Sequence, residues 1–237
     1  MMQSMSKPPV VTTRTRLKDV HESIRADILL GTWRPGKKIR PTELADRYAT
    51  STTVVREALT RLAGEDFVSV EHNRGFFVPH LSLDELRDLT EVRCRTEGMA
   101  IEFAIQRGDL AWESELIAAH YQLTKTPRRR FDDPLHVADA WADSHRAFHA
   151  KLIEASHVPV LMSLSRQLAD ATGMYRRWSA SSTAASGRDV EREHREILDA
   201  TIARDANRAT MLLRHHFETT LEVVVRSGLV EGVSLPG

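Results

Sequence analysis

Four histidines in the second half of the chain are spaced so that their imidazoles could meet. His145 and His149 are four residues apart, so they share one face of a predicted helix, with the apolar Trp141 on the same side. His194 and His216 lie on the apolar stripes of two later predicted helices. Imidazole nitrogens that converge from three helices can bind a divalent ion. The alternative for each residue is an ordinary core histidine whose nitrogens are satisfied by hydrogen bonds.

A helical scaffold is needed to hold these histidines, and the second half of the chain predicts one. Ser82 precedes acidic residues and is expected to cap its first helix. The arginine run 128–130 falls in a break between helices, where a solvated loop is expected and contact with DNA is the alternative. The periodicity of apolar residues predicts an all-α bundle of about six helices, at about 83–107, 109–126, 134–156, 159–178, 188–203 and 205–227.

The first half of the chain carries a different pattern. In residues 41–62, two short helical patterns are separated by the polar stretch Ala-Thr-Ser-Thr-Thr, which is the outline of a helix-turn-helix. Ser51 is predicted to cap the second helix, and this leaves Thr52, Thr53 and Arg56 off its buried stripe. Such a helix can enter the major groove of DNA. On this stretch alone, an ordinary helical hairpin is the alternative.

A β-hairpin is predicted directly after the helix-turn-helix. Apolar runs flank His72, Asn73, Arg74 and Gly75, which predicts two strands joined by a tight turn. A hairpin in this position is a wing, and an arginine beside a glycine at its tip can closely approach a sugar-phosphate backbone. A plain hairpin without contact to DNA is the alternative.

The predicted fold is therefore mainly α, with a winged helix-turn-helix of three helices and a β-hairpin ahead of the bundle. The first of these helices is an amphipathic segment that begins near Leu17. The expected boundaries are a disordered tail at 1–15, a winged DNA-binding domain at 16–79 and an all-α effector-binding and dimerisation domain at 80–237.

Charge is distributed unevenly between the two halves. The whole chain holds 33 basic and 33 acidic residues, but residues 1–80 hold 13 basic against 9 acidic and residues 81–237 hold 20 against 24. The basic half coincides with the helix-turn-helix, which suits local attraction to phosphates. The chain has no run of about 18 apolar residues, no signal-peptide pattern and the single cysteine Cys94, so a cytoplasmic protein without membrane contact is expected.

Three stretches of the first half, GTWRPGKKI, ELADRYATSTTVVREALTRL and VEHNRGFFV, resemble the winged-helix head of the GntR family of bacterial transcription regulators. The resemblance implies a homodimer that binds a palindromic DNA operator. Members often carry Arg where this chain has Thr52, and threonine cannot reproduce the bidentate contact of arginine with guanine. The residues expected to contact DNA are Thr42, Ser51, Thr52, Thr53, Arg56, His72, Arg74 and Gly75.

The second half resembles the FadR C-terminal-type ligand domain through EVRCRTEGMAIEFA, SHRAFHAKLIEAS and EHREILDATIARDANRATMLLRHH. This resemblance places the metal ligands of the family on His145, His149, His194 and His216, although the usual pattern has Asp where this chain has His145. Asp143 cannot replace it, because it lies on another face of the helix. An all-nitrogen set favours a divalent transition metal such as Zn or Ni over Mn or Mg.

The same resemblance implies an effector pocket beside the metal. Arg93 shares the inward stripe of its helix with Glu97, and its guanidinium could hold the carboxylate of a small organic acid with two parallel hydrogen bonds. An internal ion pair between Arg93 and Glu97 is the alternative. Tyr175 and Arg176 are further candidates to line the pocket.

We therefore predict a ligand-responsive DNA-binding transcription regulator that is not an enzyme. A metal-dependent enzyme is one alternative, because histidines around zinc with an open position can generate a hydroxide. Against it, no inward Asp or Glu is expected one helical turn from a histidine ligand to act as general base. A constitutive DNA-binding protein with a purely structural metal is the other alternative.

Overall fold

The computed structural model describes residues 13–228, apart from 30–31, 34, 81, 135, 181, 183–184 and 186. Within these residues the backbone forms nine helices and three short strands, so the mainly α prediction is confirmed. The chain divides into two compact units, residues 1–80 and residues 81–237. Among the described residues, no helix is both long enough and apolar enough to span a membrane.

The first unit contains α1 (Thr13–Leu29), α2 (Pro41–Arg47) and α3 (Thr52–Gly64). Because α1 begins at Thr13, the last three residues of the predicted disordered tail are helical, while residues 1–12 lie outside the described residues. Ser51 caps α3 as predicted, since its hydroxyl accepts a hydrogen bond from the Val54 N–H at 3.3 Å. Burial of apolar side chains from all three helices stabilises the unit; among them are Leu17, Ile24, Ile28, Leu44, Val55, Leu59 and Leu62.

The sheet of the first unit has three strands rather than the predicted two. β1 (Lys38–Ile39) and β2 (Ser69–Glu71) both pair antiparallel with the central β3 (Gly75–Phe77). A strand of two residues has no visible alternation, and β1 exists through its pairing with a segment far along the chain, so periodicity could not show it. Gly36, with a φ of 74°, turns the chain into β1, and its N–H donates to the Val78 carbonyl at 3.0 Å.

Six helices form the second unit within its described residues, in agreement with the prediction. Ser82 caps the first of them by accepting from the Glu85 N–H at 3.2 Å. This first helix packs against four of the others and so lies at the centre of the unit. In chain order the helices are α4 (Leu83–Arg107), α5 (Leu110–Lys125), α6 (Asp139–Glu154), α7 (Pro159–Ser179), α8 (Val190–Ile202) and α9 (Ala206–Arg226).

One helix boundary was predicted wrongly. The helix expected at 134–156 begins only at Asp139. The residues before it form a turn in which Arg129 and Val137 pair as an isolated β-bridge. Hydrogen bonds across this turn satisfy backbone groups that a longer helix would otherwise have used. Because the partners lie on opposite sides of the turn, helical periodicity gave no sign of them.

Candidate metal centre and nucleic-acid interface

The four histidines singled out by their spacing meet in the interior of the second unit. His145 and His149 lie one turn apart on α6, His194 lies on α8 and His216 lies on α9. One ring nitrogen from each lies within 4.8 Å of the others, and all four residues are no more than 5% exposed. The two histidines of α6 lie on the buried face of that helix, because the apolar Trp141 is buried on the same face.

Several nitrogens of this cluster have no protein partner. Within the described part of the chain, the two ring nitrogens of His149 make no hydrogen bond, and Nε2 of His194 makes none either. A buried polar atom without a partner costs about 1–3 kcal/mol, so an ordinary core histidine is normally hydrogen-bonded. A coordinated ion would remove that cost. The unpartnered nitrogens of His149 and His194 therefore fit ligands of a metal ion and do not fit hydrogen-bonded core histidines.

His216 has a different environment, because a carboxylate orients its ring. Its Nδ1 lies 2.7 Å from Oε2 of Glu193, and Arg188 donates two hydrogen bonds of 2.6 and 2.8 Å to the same carboxylate. When Nδ1–H of a neutral imidazole donates to a carboxylate, the lone pair of Nε2 is available to an ion. Sequence analysis missed Glu193 and Arg188, because they lie 23 and 28 residues from His216 and no local pattern links them.

Burial keeps the cluster neutral. It lowers the pKa values of His145, His149 and His194 well below their usual range, and neighbouring positive groups lower them further. Burial also lowers the pKa of His216 to about 4, although the Glu193 carboxylate opposes this shift. For Glu193 itself, burial would raise the pKa, but hydrogen bonds from its two partners lower it to about 2. The imidazoles are therefore in the neutral form that binds metals.

Arg93 lies on α4 next to the cluster. Its Nε donates to Oε1 of Glu97 at 2.7 Å and its Nη1 donates to the Thr172 hydroxyl at 3.0 Å. The guanidinium carbon is 4.0 Å from the centre of the Phe217 ring. The internal ion pair with Glu97, considered as the alternative, is thus present. Arg93 also lines a cavity together with His216, so its role in binding an effector stays a prediction.

Tyr175 and Arg176 line the same cavity. The Tyr175 hydroxyl lies 3.3 Å from both the backbone nitrogen and the backbone oxygen of Ser82, so its polar end is used at the start of α4. Arg176 additionally lines a second cavity, together with His145. Burial and several neighbouring arginines lower the pKa of Arg176 to about 9.

The three-arginine run before α6 is not the solvated loop that was expected. The Arg128 guanidinium lies 5.5 Å from the ring centre of Trp141, which in turn stacks on His145 with the ring centres 4.9 Å apart. Arg129 donates to a backbone carbonyl, and Arg130 pairs with an aspartate in the same turn. Sequence analysis missed Arg128 as a neighbour of the histidine cluster, because the turn that places it was assigned in part to a helix.

The first unit presents the side chains predicted to contact DNA on its surface. Thr42, Thr53 and Arg56 are exposed on α2 and α3, and Thr52 is half-buried. Ser51 is exposed as well, but its hydroxyl already caps α3. The opposite face of α3 is buried. This helix therefore has one polar face that can enter a groove, and contact of these residues with DNA stays a prediction.

At the tip of the wing, three of the four residues predicted for the turn lie between β2 and β3, and the fourth, Gly75, is the first residue of β3. Asn73 and Gly75 adopt left-handed backbone angles, with φ of 60° and 101°. His72 and Arg74 are exposed, and Arg74 pairs with Glu71 at the end of β2. The turn thus presents a basic side chain next to a residue without a side chain, an arrangement that permits close approach to a phosphate backbone.

These features define a class of protein: a winged helix-turn-helix unit followed by an all-α unit with a buried polar site. Residues 17–78 match the family described as bacterial regulatory proteins, gntR family, and residues 88–219 match the FCD domain. The chain belongs to the GntR family of transcription regulators, and its second unit contains an FCD domain.

Relatives over nearly the whole chain agree with this assignment. The chain is 33% identical over 225 residues, 95% of its length and 91% of the relative's, to the uncharacterized HTH-type transcriptional regulator BphR of Paraburkholderia xenovorans strain LB400. It is 30% identical over 209 residues, 87% of its length and 94% of the relative's, to the HTH-type transcriptional repressor GlaR of Escherichia coli strain K12.

Solved structures show the same fold. The chain matches E. coli McbR/YncC with a TM-score of 0.63 at 20% identity, covering 89% of this chain and 97% of that one. A GntR regulator from Rhodococcus sp. RHA1 gives a TM-score of 0.62 at 21% identity, covering 90% and 98%. Together with the family assignment, this places the chain among DNA-binding transcription regulators and not among enzymes.

Proposed function

We propose that this regulator binds a palindromic operator as a homodimer and responds to a small organic acid held beside a metal ion in its second unit. The observation that carries the proposal is the buried cluster of four histidines, three of whose nitrogens lack a partner within the described residues. A DNA-binding unit needs no such cluster, and leaving buried nitrogens unpartnered destabilises the fold. The cluster therefore supports a ligand-binding role.

The proposed ligands of the ion are His145, His149, His194 and His216. Because all four donors are imidazole nitrogens, a transition metal such as Zn or Ni is favoured over Mn or Mg. When bound, the ion supplies a Lewis-acid position that can take an anionic oxygen. The chain contributes orientation: Glu193 fixes the ring of one ligand and Arg188 fixes that carboxylate. Because α6, α8 and α9 each contribute, the ion would join helices that are distant in sequence.

Arg93 is the proposed anchor for the carboxylate of the effector. Its Nε and Nη1 donate to Glu97 and Thr172, while Nη2 has no protein partner within the described part of the chain. A guanidinium has five N–H donors, so it can keep these partners and still donate to a carboxylate. Arg176 and the ring of Tyr175 would complete the wall of this cavity.

On the DNA side, α3 is proposed to enter the major groove and the wing to contact the backbone. Arg56 would read a base edge, while Arg74, beside His72 and Gly75, would position the wing. The polar residues Thr42, Ser51, Thr52 and Thr53 would contact phosphates or bases around the same groove. Two copies are required because a palindromic operator presents two equivalent half-sites.

The test uses the full-length, metal-loaded protein. Selection of bound genomic fragments gives an operator, and a calorimetric screen of organic and sugar acids gives an effector. Operator affinity in a gel-shift titration should then change roughly 5- to 150-fold when the acid is added, the usual range of allosteric coupling. Arg93→Ala should abolish this response and leave the affinity without acid unchanged.

The matched control is Arg95→Ala, which removes an exposed arginine of the same helix that pairs with Glu91. This variant should respond to the acid like the wild type. If operator affinity ignored every acid that binds the protein, the chain would be a constitutive DNA-binding protein with a structural metal. A single, asymmetric footprint from a monomer would contradict the palindromic operator.

A further inference from the structure

The histidine cluster borders a second cavity that the effector proposal does not use. Its wall includes His145 and His216, together with Arg128, Arg176 and Arg188. Arg176 and His216 also line the cavity beside Arg93, so the two cavities meet around shared side chains. The two cavities therefore adjoin at the histidine cluster, and each has an arginine in its wall that is absent from the wall of the other.

The arginines around these cavities are not all neutralised. Arg188 pairs with Glu193 at 2.6 Å, and Arg93 pairs with Glu97 at 2.7 Å. Arg177, at the edge of the second cavity, pairs with an aspartate at 2.5 Å. By contrast, Arg128 and Arg176 make no ion pair with any residue in the described ranges, and Nε of Arg128 is buried without a hydrogen-bond partner.

Arg128 is held in a fixed position. The guanidinium of Arg128 lies over Trp141, which stacks on His145, so one side chain separates this cation from the histidine cluster. The turn that carries Arg128 is fixed by the bridge between Arg129 and Val137. This cation is positioned by packing, and among the described residues it has an unpartnered nitrogen and no carboxylate partner, so it is suited to an anion from outside the chain.

The charge of the site points to more than one anionic group. All four proposed metal ligands are neutral imidazoles, so they do not compensate a divalent ion. A ligand with one carboxylate would leave the half-buried guanidinium groups of Arg128 and Arg176 without a counter-charge, which is unfavourable where water is partly excluded. A ligand with two anionic groups would supply one for the ion and Arg93 and another for these two arginines.

We propose that Arg128 and Arg176 form a second anion-binding subsite, so that the effector carries two anionic groups separated by a short carbon chain. This inference rests on the proposed function, since the first anionic group occupies the site beside Arg93. The second group is a carboxylate or a phosphate, because a guanidinium binds either with two parallel hydrogen bonds.

The test is a calorimetric titration of the metal-loaded, full-length protein with a homologous series. The series contains unbranched dicarboxylates of short to medium length, monocarboxylates of equal length, and the same monocarboxylates with a terminal phosphate. At the best length, a ligand with two anionic groups should bind at least about tenfold more tightly than its monoanionic counterpart. The phosphate and dicarboxylate arms show which second group is preferred.

Arg128→Gln should remove this preference and leave the affinity for monocarboxylates unchanged. Arg130→Gln is the matched control, because it removes an arginine of the same turn that already pairs with Asp132, and it should preserve the preference. Arg128→Lys, which keeps the charge, should restore part of it if the glutamine variant folds poorly. Arg93→Ala should weaken both classes of ligand.

Equal affinity of the wild type for monoanions and dianions of the same length would overturn the second subsite and leave the proposed function intact. Retention of the full preference in Arg128→Gln would also overturn it. If no acid of either class bound, the carboxylate effector itself would be wrong, and the second subsite would be excluded with it.

Discussion

The two units of this regulator keep the side chains proposed for their ligands in opposite environments. On the first unit, Thr53, Arg56 and Arg74 are exposed to solvent. In the second unit, His149 and His194 are 5% and 1% exposed, and three of their ring nitrogens have no hydrogen-bond partner among the residues that the structure describes. One unit thus presents solvated polar groups on its surface, whereas the other buries polar groups that the described part of the chain does not satisfy.

This difference follows from the size of the two ligands. DNA cannot enter a protein core, so its recognition depends on surface charge and is weakened by salt. A metal ion with a small acid can be enclosed, and there each contact is strong because water is excluded. Loss of a surface contact should therefore lower affinity alone, while loss of the internal ligand should also lower the stability of the fold.

The largest expected effect is destabilisation when the metal is removed. At a free metal concentration about 1,000 times Kd, binding stabilises the folded state by about 4 kcal/mol, so chelation should lower Tm by roughly 8–16 °C. His194→Ala should lose the metal and the response to chelator. His215→Ala is the control, because this exposed neighbour of His216 should leave both unchanged. A Tm that is indifferent to EDTA in the wild type would contradict the role of the cluster.

Next in size is the loss of operator affinity in Arg56→Ala. If this side chain reads a base, its removal should cost about 1–3 kcal/mol and relax sequence preference at one position of each half-site. Fluorescence anisotropy at fixed salt, with operators varied at single positions, measures both. Arg61→Ala is the control on the same helix, because Arg61 is exposed and pairs with Glu57. Unchanged affinity and preference in Arg56→Ala would exclude α3 as the reading helix in this register.

Arg74→Ala should have a smaller and more uniform effect. A phosphate contact at the wing tip predicts equal weakening for all DNA sequences and a salt slope reduced by about one. Titrations at several salt concentrations give the slope. His72→Ala, at the neighbouring exposed position, should change the slope less, since histidine lacks the permanent positive charge of arginine. A sequence-dependent loss in Arg74→Ala would instead indicate that the wing reads bases.

The smallest expected effect concerns Cys94, whose reactivity measures how far solvent and reagents can enter the interior of the second unit. Cys94 is a buried free thiol, and burial raises its pKa to about 11. Because the thiolate is the reactive form, labelling by an aromatic disulfide reagent near pH 8 should be at least about tenfold slower in the folded protein than in urea. The rate in the folded protein should rise as pH increases toward the pKa. Rapid labelling of the folded protein at neutral pH would show that this interior is open to solvent.

The same contrast explains what could be predicted from the sequence. Elements defined by local signals were found: Ser82 and Ser51 cap their helices as expected, and the four histidines lie on inward faces because helical periodicity places them there. The missed features depend on partners that are distant in sequence. β1 exists only through its pairing with β3, and Glu193 acquires its role only where α8 meets α9.

The turn before α6 shows the limit most clearly. Apolar periodicity continued through it, so a helix was predicted from residue 134, whereas the bridge between Arg129 and Val137 replaces that first turn of helix. This error also concealed Arg128, whose position against Trp141 depends on the turn. The three consecutive arginines at 128–130 indicated a solvated loop. The sequence alone cannot show that the ring of Trp141 covers one of them.

The central claim is that the four buried histidines hold one metal ion per chain, and direct observation of that ion is its most decisive test. Protein purified without an affinity tag should contain one transition-metal ion per chain by elemental analysis. X-ray absorption at the edge of that metal should show only nitrogen and oxygen neighbours, with the multiple scattering of several imidazoles. His149→Ala should lose the metal, and His215→Ala should retain it. Wild-type protein without stoichiometric metal, also after incubation with Zn or Ni and dialysis, would contradict the account.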